Sequence, residues 1–299
     1  MISFVIPTYN EADAIVSTAS DIEKILKKEK IEKYEIIVVN DGSTDDTVKN
    51  IEKYLKQNTK TQNTNKANTK IISNPHNMGY GYSIKRGIKN AKYNDIVIID
   101  ADGTYPVKHF PELYKEYKKG MDMVVGARTG KYYRENGIKS ILRRFLRLLA
   151  EWAAGRKIVD INSGFRIFNK KTVEKHLDRL CDTLSFTTSI TLVYMMTSKF
   201  VSYIPITYDK RIGKSKVRLF KDSLKTLQYI LQITNYYNPI KVFILFSFMC
   251  LCVSFFGFIF SILSTLKIGY IIGIGSFFIA LIVICFGLIA NLLQQILEK

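Results

Sequence analysis

The stretch VIIDADGTYP (residues 97–106) joins an apolar run to two carboxylates. Its first residues are Val and Ile without interruption, which is typical of a strand covered on both faces in a parallel sheet. Asp100 and Asp102 follow, and Gly103 and Pro106 then interrupt regular structure. Acids one residue apart at the end of a strand can both reach one hard cation such as Mg²⁺. The same Asp-x-Asp triplet also occurs in ordinary solvated loops. Its position directly after a strand is what favours a metal site over such a loop.

Four further apolar runs of the same kind occur in the first 130 residues, with polar, helix-like segments between them. The runs are ISFVI (2–6), EIIVV (35–39), KIIS (70–73) and MDMVVG (121–126). Short continuous runs rich in Val and Ile indicate buried strands. Their alternation with helical segments predicts βαβ units and a mostly parallel, Rossmann-like α/β sheet.

Polar residues follow three of these predicted strands directly. Tyr9 and Glu11 come after the first strand, Asp41 after the second, and Asp100 and Asp102 after the fourth. Ligands bind at the carboxyl ends of the strands in such sheets, so we expect these side chains to converge on one crevice. The sequence contains neither a GxxxxGK[ST] loop nor a GxGxxG after the first strand, which argues against a P-loop ATPase and a dinucleotide-binding dehydrogenase.

Charge and hydropathy divide the chain into unlike parts. Lys and Arg number 44 against 26 Asp and Glu, a formal net charge of +18 that favours anionic partners. Residues 240–263 carry one charge and residues 268–293 carry none, and each run exceeds the roughly 20 apolar residues needed to cross a bilayer. We therefore predict a domain at 1–217, an interfacial amphipathic helix at 218–238 and a transmembrane hairpin at 239–299. Nucleic-acid binding would explain the charge but not the two spans.

The distribution of basic residues predicts the orientation of that hairpin. Nearly all Lys and Arg precede the spans, and the connection between the spans holds only Lys267. The positive-inside rule then places both termini and the long N-terminal domain in the cytoplasm. The N-terminal MISFVIPTYN lacks the basic region and long apolar core of a signal peptide, which agrees with this prediction. We expect a multi-pass protein of the cell membrane.

Seven motifs occur in a fixed order along the chain: FVIPTYNE, VVNDGSTDDT, NMGYGYSIKRG, DADGTYP, VVGAR, DINSGFRIF and KRIGKSK. Together they resemble family 2 glycosyltransferases with the GT-A fold, and within them the polyprenyl-phosphate branch that includes dolichol-phosphate mannose synthase. The resemblance spans residues 2 to about 238. It implies an inverting enzyme that moves one sugar from a nucleotide-diphosphate sugar to a polyprenyl phosphate, dolichyl or undecaprenyl, at the cytoplasmic face.

The resemblance also implies a division of labour among site residues. Asp41 would hold the base or ribose, Asp102 and Arg128 would be catalytic, and Asp100 and Asp102 would bind Mg²⁺ or Mn²⁺ as the cofactor. The implied nucleotide-sugar site comprises Pro7, Tyr9, Glu11, Asp41, Asp100, Ala101, Asp102, Lys210 and Lys216. The implied lipid-phosphate site comprises Arg128, Arg143, Arg144, Ser163 and Arg166.

The acceptor chemistry explains why cations matter more than a base. A phosphate monoester carries about −1.5 to −2 charge at neutral pH, so it is nucleophilic without the general base that an alcohol needs. One departure bears on the donor. Dolichol-phosphate mannose synthases usually read DADLQHPP, whereas this chain reads DADGTYP and lacks the Gln. The departure argues against mannose as the sugar and GDP as its carrier.

Two alternatives keep the fold and change the activity. A processive polysaccharide synthase usually carries a QxxRW motif, but Trp152 is the single tryptophan and is preceded by Ala and Glu. A membrane-tethered anion-binding protein with a degenerate transferase fold would not need the intact DxD, PTYNE and SGFR motifs. The sequence therefore favours the transferase, with a nucleotide-sugar donor, a polyprenyl-phosphate acceptor and the lipid bilayer as partners.

Overall fold

A computed structural model of the chain describes residues 1–61, 68–130, 132–133, 138–213, 219–264 and 266–297. These residues form two units, Met1–Tyr229 and Ile230–Lys299. The first unit contains the sheet and the second contains two long apolar helices. The division falls inside a helix, so it does not coincide with the predicted boundaries at residues 217 and 238, which stay predictions.

The first unit is built on a seven-stranded sheet with the order β3-β2-β1-β4-β6-β5-β7. Its strands are β1 (Ile2–Thr8), β2 (Tyr34–Asn40), β3 (Thr69–Ser73), β4 (Asp95–Ile98), β5 (Met123–Thr129), β6 (Arg166–Asn169) and β7 (Val201–Thr207). All neighbouring pairs are parallel except those of β6, which is antiparallel to both β4 and β5. The predicted mostly parallel α/β sheet and its first five strands are confirmed, whereas β6 and β7 were not predicted.

Helices cover the sheet because packing their apolar faces on the apolar strands removes both surfaces from water. Every residue of β1 is buried, as expected for a central strand. The helices are α1 (Ile15–Lys28), α2 (Thr47–Thr61), α3 (Tyr80–Lys89), α4 (Phe110–Tyr117), α5 (Ile138–Ala154), α6 (Lys170–Glu174), α7 (Phe186–Met196), α8 (Leu219–Tyr237), α9 (Pro239–Ser264) and α10 (Ile268–Leu297). Ile15, Ile22 and Leu26 of α1 are fully buried at helical spacing, and each contributes about 1.5–3 kcal/mol by leaving water.

The second unit confirms the predicted pair of apolar helices. Both α9 and α10 are long and apolar enough to cross a membrane. They pack closely through small residues, because the Ser254 hydroxyl donates to the Gly273 carbonyl at 2.7 Å and Gly257 lies against the backbone of Gly269 and Gly273. Such small-residue contacts and interhelical hydrogen bonds are the usual means of helix association in lipid.

Candidate active site

A cavity of about 740 Å³ opens at the carboxyl ends of β1, β2 and β4. This volume lies in the usual range for small-molecule sites, and the position is where α/β sheets bind ligands. Its lining comprises Pro7, Thr8, Tyr9, Glu11, Asp41, Asn77, Gly79, Tyr80, Asp100, Ala101, Asp102, Thr183, Leu184 and Arg211. All seven nucleotide-site residues predicted from the first two motifs and the DAD triplet therefore line one cavity.

The turn after Asp102 holds that carboxylate in one orientation. Thr104 donates to Asp102 Oδ1 twice, from its hydroxyl at 2.6 Å and from its amide at 3.1 Å. Gly103 makes the turn possible because its φ is +73° and a Cβ there would lie 3.0 Å from Ile212 Cδ1. Asp102 therefore presents its other oxygen, Oδ2, to the cavity side of the turn.

Asp100 lies beside Asp102 in a close-fitting environment. Its Oδ1 accepts a hydrogen bond from the Tyr80 hydroxyl at 2.7 Å. Gly164 leaves room for the carboxylate, since a Cβ at that position would lie 2.3 Å from Asp100 Oδ2. Burial first, and then the charge of Asp102, raise the pKa of Asp100 to about 7. The site therefore holds two acids that resist being ionised together unless a cation balances them.

Arg211 supplies positive charge to this group of acids. Its Nη1 lies 3.1 Å from Asp102 Oδ2 and its Nη2 lies 2.7 Å from Glu11 Oε1. Its loop is fixed to the acidic turn by the backbone, because Asp209 N donates to Thr104 O and Ile212 N donates to Asp102 O. The guanidinium therefore bridges the acids that follow β1 and β4.

The sequence analysis selected other cations from the same motif. Lys210, next to Arg211, is exposed and does not line the cavity. Lys216 lies outside the described residues. Arg211 belongs to the same KRIGKSK motif, and charge alone could not identify it as the cation that contacts the acids. Lys210 and Lys216 stay predictions.

Asp41 organises the loop before α3 as well as lining the cavity. Its two carboxylate oxygens accept hydrogen bonds from Asn74 Nδ2 at 2.7 Å and from the amides of Met78 and Gly79, each at 2.9 Å. Gly79 is needed there because its φ is +110° and a Cβ would meet Asp182 O at 2.4 Å. Asn77 and Gly79 of this loop line the cavity, as Tyr9 does.

Ser163 and Arg166 lie in the interior, which corrects the expectation that they contact a lipid phosphate. Arg166 is fully buried, and it donates from Nε to Ser163 O, from Nη1 to the Thr191 hydroxyl and from Nη2 to Ile161 O. Ser163 is fully buried as well and donates to Gly126 O at 2.6 Å. The SGFR motif therefore shapes the wall behind Asp100 and does not present these side chains to an acceptor.

Arg128 is engaged by a carboxylate in the same unit. Its Nε and Nη2 each lie 2.8 Å from an oxygen of Asp160, and its own amide donates to Asp160 Oδ2. Burial opposes ionisation of Asp160, but these hydrogen bonds outweigh it and hold the pKa of Asp160 below its usual value. The Tyr133 ring lies against the guanidinium groups of both Arg128 and Arg143, at 4.8 and 5.9 Å, whereas Arg144 is exposed.

Comparison with known proteins agrees with this geometry. The family model described as glycosyl transferase family 2 matches residues 3–177, more than half of the chain. This chain belongs to glycosyl transferase family 2. It is a glycosyltransferase with the GT-A type of sheet, and the cavity at the carboxyl ends of β1, β2 and β4 is its candidate active site.

Curated relatives of this family 2 chain act on lipid phosphates according to their names. It is 27% identical to a dolichyl-phosphate beta-glucosyltransferase of Trichomonas vaginalis over 79% of this chain and 71% of that protein. It is 26% identical to the dolichyl-phosphate beta-glucosyltransferase of Dictyostelium discoideum, over 60% of this chain and 58% of that protein. The chain thus spans little more than half the length of the second relative.

A solved structure shares the fold. Glucosyl-3-phosphoglycerate synthase from Mycobacterium tuberculosis, crystallised with Mn²⁺, UDP and phosphoglyceric acid, aligns with a TM-score of 0.60 over 78% of each chain. The two sequences are 18% identical, so the likeness is one of fold.

The family 2 chain offers a donor set that fits a divalent cation brought in with a diphosphate. Within the described ranges, no three His, Cys, Asp or Glu side chains form a complete metal cluster. Mg²⁺ commonly takes one or two protein carboxylates and completes its shell with phosphates and water, so Asp100 and Asp102 suffice. The raised pKa of Asp100 agrees with a metal site, because a bound cation would supply positive charge to balance the ionised carboxylates of Asp100 and Asp102.

Proposed function

We propose that this chain transfers a single glucose from UDP-glucose to the phosphate of a polyprenyl lipid, with inversion, at the cytoplasmic face of a membrane. The observation that carries the proposal is the convergence of Glu11, Asp41, Asp100 and Asp102 on one cavity of about 740 Å³ at the strand ends. The named relatives support the sugar and the acceptor, and the fold neighbour's complex supports UDP as the carrier. Nucleotide sugars of this kind carry an α-linked sugar, so the beta product in the relatives' names supports inversion.

The cavity residues have distinct tasks in this proposal. Tyr9 offers a flat face to the nucleobase. Asp41 accepts from the Gly79 amide and so holds the Gly79 backbone at the cavity wall, where it can contact the donor. Asp100 and Asp102 hold Mg²⁺ or Mn²⁺. When bound, the cation would neutralise charge that develops on the departing diphosphate. Lys210 and Lys216 stay proposals for contacts to the diphosphate.

The acceptor phosphate needs positioning, because it is already a nucleophile. Arg143 and Arg144 of α5 are the proposed ligands of the lipid phosphate, and Arg128 is proposed to act beside them. Arg128 is neutralised by Asp160 in its present arrangement, so any contact with a phosphate would share its guanidinium with that carboxylate. Tyr133 packs against both Arg128 and Arg143, which supports their acting as one group.

The membrane part of the proposal rests on three helices. The apolar helices α9 and α10 support anchoring. In the first unit, α5 exposes an apolar stripe at helical spacing while its other face is buried. The exposed residues are Ile141, Phe145, Leu148 and Trp152, and the buried ones are Leu146, Ala150 and Ala153. Exposed Arg144 lies next to the stripe, a combination that suits an anionic lipid surface.

A reconstitution assay tests the proposal directly. The full chain is placed in lipid nanodiscs with Mn²⁺, radiolabelled UDP-glucose and either undecaprenyl or dolichyl phosphate. The expected product is a lipid extractable into organic solvent that carries one glucose. Asp102→Asn is the matched negative control, because it keeps the shape of the side chain and removes its charge. GDP-mannose, supplied in parallel, should give little product.

The other activities predict different results in the same assay. A sugar polymer without lipid-linked monosaccharide would favour a processive synthase. No product from any donor, with UDP binding equal in the wild type and Asp102→Asn, would favour the non-catalytic anion-binding protein. Protease accessibility of the first unit in inverted membrane vesicles tests the cytoplasmic orientation.

A further inference from the structure

The bridge made by Arg211 has a consequence for how the donor enters. Asp102 Oδ1 is occupied by both donors of Thr104, so Oδ2 is the oxygen available to another cation. Arg211 Nη1 lies 3.1 Å from that oxygen, while Nη2 holds Glu11 at 2.7 Å. A cation that binds Asp102 through Oδ2 therefore competes with Arg211 for that oxygen.

The backbone around Arg211 holds this residue near the acidic turn even when a metal ion takes the place of its guanidinium on Asp102. Two backbone hydrogen bonds fix the flanking residues Asp209 and Ile212 to the acidic turn. The side chain is 30% exposed in its ion pairs, so it can turn away from Asp102 without unfolding the loop. Its Nε is buried and has no hydrogen-bond acceptor among the described residues, which leaves one donor still to be satisfied.

We propose that Arg211 is an exchangeable counter-cation that holds Glu11 and Asp102 until the metal-bound nucleotide diphosphate displaces it. Resting on the proposed function, this inference assigns a regulatory role within the same site. Arg211 gives up Asp102 to the divalent ion and turns its guanidinium to the diphosphate that arrives with that ion. Guanidinium groups bind phosphate oxygens through charge-assisted hydrogen bonds, so the exchange replaces one anionic partner with another.

Charge balance explains why the exchange should need both ligands together. Metal alone would leave the Arg211 guanidinium beside a dication with no new anion to pair with. Nucleotide diphosphate alone would bring negative charge toward Glu11, Asp100 and Asp102. Together the two ligands satisfy the acids and Arg211 at once. Each ligand should therefore tighten the binding of the other by the same factor, as linkage requires.

Binding of Mn²⁺ alone tests the proposal without depending on catalysis. Free Mn²⁺ is measured by electron paramagnetic resonance during titration of the full chain in detergent micelles, with and without UDP. We expect Arg211→Gln to bind Mn²⁺ about tenfold more tightly than the wild type when UDP is absent, because a charge-assisted competitor is gone. We also expect UDP to tighten Mn²⁺ binding strongly in the wild type and much less in Arg211→Gln.

Two further variants separate a bridge from a general effect of charge. Arg211→Lys keeps the charge but cannot hold both acids with one planar fork, so its Mn²⁺ affinity should lie between those of the wild type and Arg211→Gln. Lys49→Gln removes a charge that is 79% exposed on α2 and should bind Mn²⁺ as the wild type does.

Equal or weaker Mn²⁺ binding by Arg211→Gln would overturn the proposal, as would an Arg211→Lys variant identical to the wild type. Thermal unfolding of each variant checks that it is folded, and Arg211→Lys provides the comparison if Arg211→Gln is not. Failure of sugar transfer to any lipid would refute the proposed function while leaving these metal affinities interpretable.

Discussion

The raised pKa of Asp100 predicts that ionisation of this carboxylate lowers the stability of the folded chain as pH rises. In the folded chain the pKa of Asp100 is about 7, against 3.8 for an ordinary aspartate. Because the folded value is the higher one, the folded state binds more protons, and stability falls as pH rises from about 4 through 7. Between pH 5 and pH 8 the loss from this one carboxylate is about 2–3 kcal/mol.

Asp100→Asn isolates this contribution. Asn keeps the shape of the side chain and the oxygen that accepts from Tyr80, and it carries no charge at any of these pH values. All other titrating groups are common to both proteins, so the difference in Tm between variant and wild type reports on Asp100. For a unit of this size we expect that difference to grow by about 5–10 °C in favour of Asp100→Asn from pH 5 to pH 8.

The assay is thermal unfolding of the full chain in detergent micelles, followed by intrinsic fluorescence at several pH values. Mn²⁺ with UDP should raise the Tm of the wild type at pH 8, since a cation stabilises the ionised carboxylate. The difference in Tm between Asp100→Asn and the wild type should then become smaller. Asp21→Asn, at a carboxylate that is 55% exposed in its ion pair with Lys24, controls for loss of one negative charge. If the Tm advantage of Asp100→Asn over the wild type stays constant or shrinks as pH rises, the proposed destabilisation by ionised Asp100 is refuted.

Three further predictions concern the turn, the interior and the membrane. Thr104→Val removes the 2.6 Å hydroxyl bond to Asp102 and should lower kcat/KM about tenfold with unchanged Tm; normal kinetics would contradict a role in orienting the acid. Arg166→Met leaves two buried carbonyls and the Thr191 hydroxyl without their donor, so unfolding should cost about 3 kcal/mol less, measured by denaturant titration; unchanged stability would contradict the scaffold role. Fluorescence of Trp152, the single tryptophan, should be quenched by shallowly brominated lipids in nanodiscs and shielded from iodide; free access to iodide would contradict contact of α5 with lipid.

The sequence was a good guide where local patterns determine structure. Apolar runs followed at once by polar residues predicted β1, β2 and β4 together with the acids at their ends. Parallel pairing then brings those ends to one edge, so the convergence of Glu11, Asp41 and Asp102 followed from geometry. Just before α2, the Asp45 carboxylate accepts a hydrogen bond from Thr47 N. The Ser43 hydroxyl accepts one from Asn10 N, which follows β1, and local sequence patterns do not indicate such a contact between distant segments.

Long-range packing decided what the sequence could not. The family resemblance implied that Ser163 and Arg166 of SGFR belong to the lipid-phosphate site. Its Arg166 begins β6, an antiparallel strand inserted between β4 and β5, and its side chain turns into the interior. Likewise, the KRIGKSK sequence offers four cations, and the docking of residues 209–212 on the acidic turn directs Arg211 toward the acids.

The residues of DADGTYP that differ from the DADLQHPP pattern have structural roles in this chain. Gly103 adopts the positive φ of the turn, and Thr104 fixes Asp102. The Tyr105 hydroxyl accepts from Gly164 N at 2.7 Å, which holds the glycine that makes room for the Asp100 carboxylate. The turn therefore orients both acids from within, through Thr104 and Tyr105 rather than through a Gln. Discrimination between sugars must then come from other parts of the cavity wall, and Thr183 and Leu184, which sequence patterns did not indicate, are the positions that line it from outside the family motifs.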